Sequence, residues 1–516
     1  METWFIIVVS LCIAALIRSL LFRRSDGKKL PPGPSLLSSN FIILTNSLSG
    51  LEPILRNFKA KYGPIITLSI GSRPSIFVGS HSLAHQLLIQ KGAVFSDRPR
   101  LTSPVVNISS AAYGATWRVL RRNLASEVLH PSRVKSYSWA RNWVLQILIG
   151  RLQGQKDAAG IKVIDHFTYA MFCLLVFMCF GEKLDEHRIN EIAAVQRRLL
   201  LLVASGRFNV LGLFPRLGKI LFRNRWNELF QIRHDQEEVL IPRIKSRIEA
   251  ANTAKQSVGE ERIVAYVDSL VNLQLPEEEA KNGNGGKLTH KEMVSLCGEF
   301  LNAGTDTTAT ALQWIMANLV KHPKIQSKLY DEIVSVVGPP PPPPPPGEEP
   351  ESAISEDELK KLPYLKAVIL ESLRRHPPGH FVLPHRVAKE MEVQGFTIPE
   401  GATINFMVAE MGLDPTVWED PMEFKPERFL VNNGDFDITG SKGIKMMPFG
   451  AGRRICPGSD LALLHLEYFV ANLIWYFNWS PPDGYDVDLS EKIEFTIVME
   501  NPLQAQISPR TEKITS

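Results

Sequence analysis

Apolar residues run almost unbroken from Trp4 to Phe22, close to the ~20 residues needed to cross a hydrocarbon core. Arg18 interrupts the run near its end, where a long side chain can snorkel toward headgroups. Beyond it the pattern changes. Most of the chain shows helical periodicity punctuated by Gly and Pro. Short strand-like runs occur at Ile65–Ile70, Ser75–Val78, Glu392–Ile398, Thr403–Val408 and Glu494–Met499. Thr289-x-x-Glu292 reads as a capping box opening a helix that runs to His322 and stops before Pro323. At ~1.5 Å per residue its roughly thirty residues reach on the order of 45 Å. A second box, Ser355-x-x-Glu358, predicts the start of the helix that carries Glu371 and Arg374 and ends before Pro377-Pro378.

The flanks orient the first segment. Arg23, Arg24, Lys28 and Lys29 follow it, and Glu2 is the charged side chain ahead of it. By the positive-inside rule the C-terminal bulk faces the cytosol. A cleaved signal peptide would carry its positive charge first and end at small residues, and neither is seen. Residues 1–30 therefore read as a signal anchor, a core helix being the other reading. Pro31-Pro32-Gly33-Pro34 reads as a stiff spacer leading into a catalytic body over 31–516. A polar stretch from Gln274 to Lys287 reads as a surface connection. So does an insert over 339–350, whose eight prolines, Pro339–Pro346, suit a solvated polyproline II segment.

With 44% hydrophobic and 22% charged residues, the chain has material for a large core. Its 516 residues suggest three domains at about 150 residues each. One large helical domain around a cofactor is the competing arrangement, and the motifs favour it. The net charge of +4 comes with no dense Lys/Arg block, which argues against a nucleic-acid partner. Cys12, Cys173, Cys179, Cys297 and Cys456 are widely scattered. That spacing argues against structural zinc, iron–sulfur clusters and a disulfide framework, and for a reducing compartment.

Chemistry concentrates near the C-terminus. Pro448-Phe449-Gly450-Ala451-Gly452-Arg453-Arg454-Ile455-Cys456-Pro457-Gly458 precedes a helical pattern from Ser459. Glycines allow unusual backbone angles, and a cysteine ahead of a helix receives N–H donors and a positive dipole end that favour thiolate. Glu371-Ser372-Leu373-Arg374 puts a carboxylate and a guanidinium on one helix face, and Pro426-Glu427-Arg428-Phe429 follows about fifty residues later. Ala303-Gly304-Thr305-Asp306-Thr307-Thr308 clusters poor helix formers in mid-helix. Trp117 and Arg121 are spaced to share a face.

Together these segments resemble the cytochrome P450 superfamily, whose haem-binding pattern matches at Phe449, Gly452, Arg454, Cys456 and Gly458. The likeness runs from Pro31 to about Ile507, with the motifs in family order. The wording of the hinge and the cysteine loop is similar to plant microsomal (A-type) members. Met446-Met447-Pro448 and Pro377-Pro378-Gly379-His380-Phe381 resemble plant family 89.

The resemblance implies a mainly α fold with small β-sheets after one N-terminal transmembrane helix, single-pass in the endoplasmic reticulum membrane. It implies haem b with Cys456 as axial thiolate, and Phe449 shielding that side. Arg121, Trp117 and Arg454 would meet the haem propionates, with His385 or Arg386 as a further contact. Glu371, Arg374 and Arg428 would form a buried structural triad. The long helix would open locally at 303–308, with Thr307 hydrogen-bonding dioxygen and Asp306 relaying protons. Electrons would come from NADPH through NADPH-cytochrome P450 reductase, with Lys442, Lys445 and Arg453 as part of a basic docking face.

Substrate contacts by family position fall at Leu101–Gly114, Asn302–Thr307, Gly379–Leu383 and Phe495–Met499. These are largely apolar and imply a hydrophobic or amphipathic small molecule, with plant secondary metabolism as the setting. A peroxide-rearranging haem-thiolate isomerase or dehydratase is one alternative, though such relatives lose the acid–threonine pair kept here. A non-catalytic haem-binding protein is another. Two positions depart from the family wording: Ala112, before Tyr113-Gly114, where Pro is frequent, and Leu413, where Arg is frequent. Both are expected away from the iron.

Overall fold

In the computed structural model the described residues run from 29 to 510, together with residue 10. Residues 37, 40–41, 43–47, 71–72, 100–105, 155–159, 206–221, 255–262, 277–285, 343–352 and 432–435 are excepted. Apart from residue 10, the predicted span Trp4–Phe22 thus lies outside them, as do most of the polyproline insert and residues 101–105 of a substrate segment.

The helices begin with α1 (Leu48–Tyr62), α2 (His81–His85), α3 (Ala115–Glu127), α4 (Pro131–Ser136) and α5 (Ser138–Gly154). Next come α6 (Val163–Phe180), α7 (Glu186–Ala204), α8 (Arg223–Ala254), α9 (Tyr266–Val271) and α10 (His290–Lys321). The last are α11 (Pro323–Val337), α12 (Glu356–Leu359), α13 (Pro363–Arg375), α14 (Val408–Gly412) and α15 (Ser459–Tyr476). Short strands are β1 (Ile65–Ile70), β2 (Arg73–Val78), β3 (Ile161–Lys162), β4 (His385–Arg386), β5 (Met391–Val393) and β6 (Phe396–Ile398). They end with β7 (Thr403–Phe406), β8 (Phe477–Ser480), β9 (Glu491–Ile493), β10 (Ile497–Met499) and β11 (Gln504–Pro509).

Two compact units result, one from the chain up to Pro99 with Phe381–Met407, the other from Arg100–His380 and Val408–Ser516. In the first, β1 and β2 pair antiparallel from Ile65↔Val78 to Ile70↔Arg73, and the sheet continues through β7 to β4. Ile66 and Leu68 alternate onto the face that meets Leu55 of α1. The Pro31–Pro34 segment is more than a spacer. Pro31 is buried and Pro32 O accepts the Thr67 N–H at 2.9 Å, so the segment is stitched to β1.

In the second unit α6 is apolar and buried on every face from Ala170 to Phe180. Among the described residues it is the one helix long and apolar enough to cross a bilayer, yet it is a core helix. It ends at Gly181, whose φ of +71° and N–H to Phe177 O make a left-handed cap. Against it packs α10, opened by Thr289: the hydroxyl accepts from Glu292 N, and Glu292 returns a bond to Thr289 N. Pro323 closes α10 and begins α11, where its missing N–H costs nothing. The second capping box behaves differently from expectation. It caps only the short α12, and Pro363 starts α13 afresh, because proline disfavours helical geometry in the residue before it.

Candidate active site

Gly450 and Gly452 have φ of +70° and +72°, a region where a side chain is strained. Their turns bring Cys456 N within 2.9 Å of Phe449 O, and a single tight turn, Gly452–Arg454, hands the chain on to α15. Phe449 packs partly buried on the core. Cys456 is half-buried. Burial pushes its thiol up, while the Gly458 N–H and the Arg121 guanidinium pull it down. The expected preference for thiolate is therefore not supplied by the helix end alone, since desolvation outweighs it. A metal cation at the sulfur reverses that balance, because a coordinating thiol is deprotonated outright.

The setting fits haem. Arg121 of α3 lies beside the thiol, half-buried, its pKa lowered by burial and raised by Cys456. No carboxylate or hydrogen-bond acceptor pairs with it among the described residues, so it is a cation suited to an outside carboxylate. Trp117, one turn earlier, is buried and carries the Arg454 guanidinium 4.5 Å from its ring centre. Arg454 itself donates to Ile108 O at 3.2 Å and Ala111 O at 2.7 Å, so it also ties down the loop before α3. Tyr113 of that loop lies 5.1 Å from Trp117 with the two rings tilted, and its hydroxyl accepts from Arg453. Burial pushes that hydroxyl up, but Arg453 and Arg118 leave it below the usual tyrosine value.

Behind the loop, Glu371 and Arg374 form a two-pronged pair at 2.7 and 2.8 Å, both side chains fully buried. Arg428 Nε donates to the same carboxylate at 3.3 Å and Lys425 N at 2.8 Å. Arg374 spends its remaining donors on Gly412 O, Pro421 O and Glu423 O. The triad read from two separated motifs is thus one buried network.

On α10 the clustered residues do different things. The helix is continuous through 303–308 rather than open, and Thr307 Oγ1 donates back to Ala303 O at 2.6 Å. Ala303 is exposed and Thr307 half-buried in a helix otherwise mostly buried here, so this face is reachable. Gly304 serves packing: a methyl there would lie 2.3 Å from Leu175 Cδ1 of α6. Asp306 is buried with its two oxygens divided. Oδ1 accepts from Arg197 of α7, and Oδ2 accepts from Thr496 at 2.8 Å. Arg197 also reaches Glu494 at 3.0 Å. One turn before Ala303, Glu299 accepts the N–H groups of Ile108 and Ser109, both at 2.7 Å.

Arg197 and Glu299 went unread in the sequence, and Thr496 and Tyr113 were read only as members of substrate-contact segments, because each gains its role from a partner more than ninety positions away. No local pattern marks them. His385 and Arg386 belong to the other unit, where His385 Nδ1 meets Phe95 O and Arg386 pairs with Asp97 at 3.0 Å. Lys442, Lys445 and Arg453 are all exposed.

Known proteins share this plan. The cytochrome P450 family model matches residues 31–508. Cytochrome P450 89A9 of Arabidopsis thaliana is 48% identical, over 98% of both chains. Geraniol 8-hydroxylase of Catharanthus roseus is 30% identical over 94% of this chain and 95% of its own. A solved zebra fish cytochrome P450 bound to abiraterone superposes with a TM-score of 0.68 at 22% identity, covering 89% of this chain and 99% of that one. The chain belongs to the cytochrome P450 family. It is a cytochrome P450 monooxygenase, and its family implies haem with a thiolate ligand.

Proposed function

We propose that this monooxygenase inserts one atom of dioxygen into a hydrophobic or amphipathic small molecule of plant specialised metabolism. Its electrons come from NADPH through a membrane-bound reductase. The observation that carries the reading is the Cys456 turn with the acid-free Arg121 guanidinium beside its sulfur. Cys456 would be the thiolate ligand, Arg121, Trp117 and Arg454 would hold the propionates, and Phe449 would shield the sulfur. When bound, haem with a thiolate ligand would supply oxygen activation.

The chain's own residues supply protons, orientation and exclusion of water. Asp306 takes protons inward, with Arg197 as its link toward solvent, since that side chain is 44% exposed. Thr307 holds its hydroxyl on the reachable face of α10 and releases its bond to Ala303 O to donate elsewhere. Segments 106–114, 302–307 and 495–499 carry a single charged side chain, Asp306, and suit a substrate with few charges. Geraniol, for which the Catharanthus roseus relative is named, is a molecule of that class. Residues 1–30 anchor the body, 31–516, to the endoplasmic reticulum membrane. The exposed Lys442, Lys445 and Arg453 offer an acidic reductase a basic landing.

Recombinant microsomes, with and without reductase, test this against extracts of the source tissue. The protein shows a reduced-CO absorbance near ~450 nm, the mark of thiolate ligation, and consumes NADPH with substrate. Cys456→Ser loses both. A Cys456→Ser protein with parental absorbance and turnover overturns the assignment.

A further inference from the structure

Thr496 sits at the tip of the β9–β10 hairpin, 190 positions from Asp306, and is buried. Its backbone is fixed on both sides. Glu494 N donates to Thr496 O at 3.0 Å, and Ile497 N donates to Pro378 O at 2.9 Å. Trp314 Nε1 of α10 donates to Ile497 O at 2.8 Å. Its hydroxyl lies 2.8 Å from Asp306 Oδ2 and 3.1 Å from Thr310 Oγ1. An ionised carboxylate only accepts and a threonine hydroxyl has one proton. The order is therefore forced: Thr310 donates to Thr496, and Thr496 donates to Asp306.

We propose that Thr496 is a positioning residue for proton delivery, holding Oδ2 so that the Asp306 carboxylate keeps one rotamer when Arg197 leaves Oδ1, which takes a proton from solvent and passes it inward. A carboxylate held by one exposed arginine alone would follow that side chain outward. With Thr496 in place the acid keeps its position through the exchange. Substrate contact with neighbouring Phe495, 38% exposed, would act on the same hairpin. The inference rests on Asp306 being the proton-relaying acid.

The test compares Thr496→Val, which keeps the shape and drops the hydroxyl, with Thr496→Ser, which keeps the hydroxyl. Both are read in full-length protein with reductase for product formed per NADPH, peroxide released and solvent isotope effect. Thr496→Val is expected to lose at least threefold in product per NADPH, with KM within twofold, and Thr496→Ser to restore it. The Thr496→Val/Asp306→Asn double variant should be no worse than Asp306→Asn. A second readout is hydrogen exchange of residues 491–499 in the resting protein, which should speed up in Thr496→Val and Asp306→Asn and stay parental in Thr496→Ser. Parental coupling in Thr496→Val, or an equal defect in Thr496→Ser, overturns the proposal. If Asp306→Asn itself couples normally, the relay reading of Asp306 falls, and exchange alone decides whether Thr496 holds the carboxylate.

Discussion

Two carboxylates in this molecule are held by nearly the same chemistry and stand in opposite surroundings. Glu371 is gripped by Arg374, with both side chains at 0% exposure, and is further bonded by Arg428 and a backbone N–H. Asp306 is gripped by Arg197 and a threonine hydroxyl, but that arginine is 44% exposed. A guanidinium sealed in the core cannot leave without stranding charge, so the first network braces. One that reaches solvent can let go cheaply, so the second network is free to exchange partners, as the proposed relay requires. Exposure of the cation, more than identity of the pair, separates scaffold from chemistry.

Substitution at Glu371 is the hardest strain on this contrast. Glu371→Gln leaves Arg374 as an uncompensated buried cation and should cost about 3–5 kcal/mol. Urea unfolding of the variant measures it, and a loss below about 1 kcal/mol would remove the distinction between brace and relay.

A third carboxylate, Glu491, adds a pH axis. His376 donates Nδ1–H to it at 2.7 Å, and His380 Nε2 lies 3.3 Å from its other oxygen. Burial lowers His376 to about 4, and despite burial the two histidines hold Glu491 below the usual carboxylate range. The unfolded chain then binds more protons than the native one between pH 6.5 and 4. Stability is full above 6.5 and falls as pH drops through that window, by on the order of 3 kcal/mol from His376. Glu491 pushes in the same direction at still lower pH. Melting temperature against pH checks this, and His376→Asn should flatten the slope.

Asp306→Asn should reverse the Glu371 pattern. Activity falls about tenfold to a hundredfold, the range typical for losing a proton-transfer group, while unfolding free energy moves by less than about 1 kcal/mol. Turnover and urea denaturation on the same preparation read both halves. The smallest effect is expected at Arg197→Gln, under about 1 kcal/mol of stability and weakened further by salt, since a half-exposed ion pair is screened. A stability loss as large as that of Glu371→Gln would make Asp306 a second brace.

Much of this was legible in the chain. The Thr289 box marked α10, and the alternating run at 65–70 became β1 with the same bounds. The Glu371–Arg374 pair followed from a spacing of three. Other local signals were outvoted. Ser355 and Glu358 cap a helix as read, but that helix stops at Leu359 and Pro363 starts a new one four residues on. The Pro31–Pro34 hinge read as a stiff spacer and is also stitched to β1, because Gly33 lets Thr67 O lie where a Cβ would be. Gly304 looked like a concession to oxygen chemistry, and its immediate cause is Leu175.

By itself the sequence determined whatever depends on neighbours within a turn or two: the glycine-shaped loop presenting Cys456, the capped helix and the carboxylate–guanidinium spacing. These are set by backbone geometry and short-range hydrogen bonding, which travel with the local string. Only the tertiary structure decided which cation meets Asp306, that Thr496 shares it and that Arg454 also holds the loop before α3. Those partners are 109 to 343 positions apart, and packing brings them together where no pattern in the chain could name them.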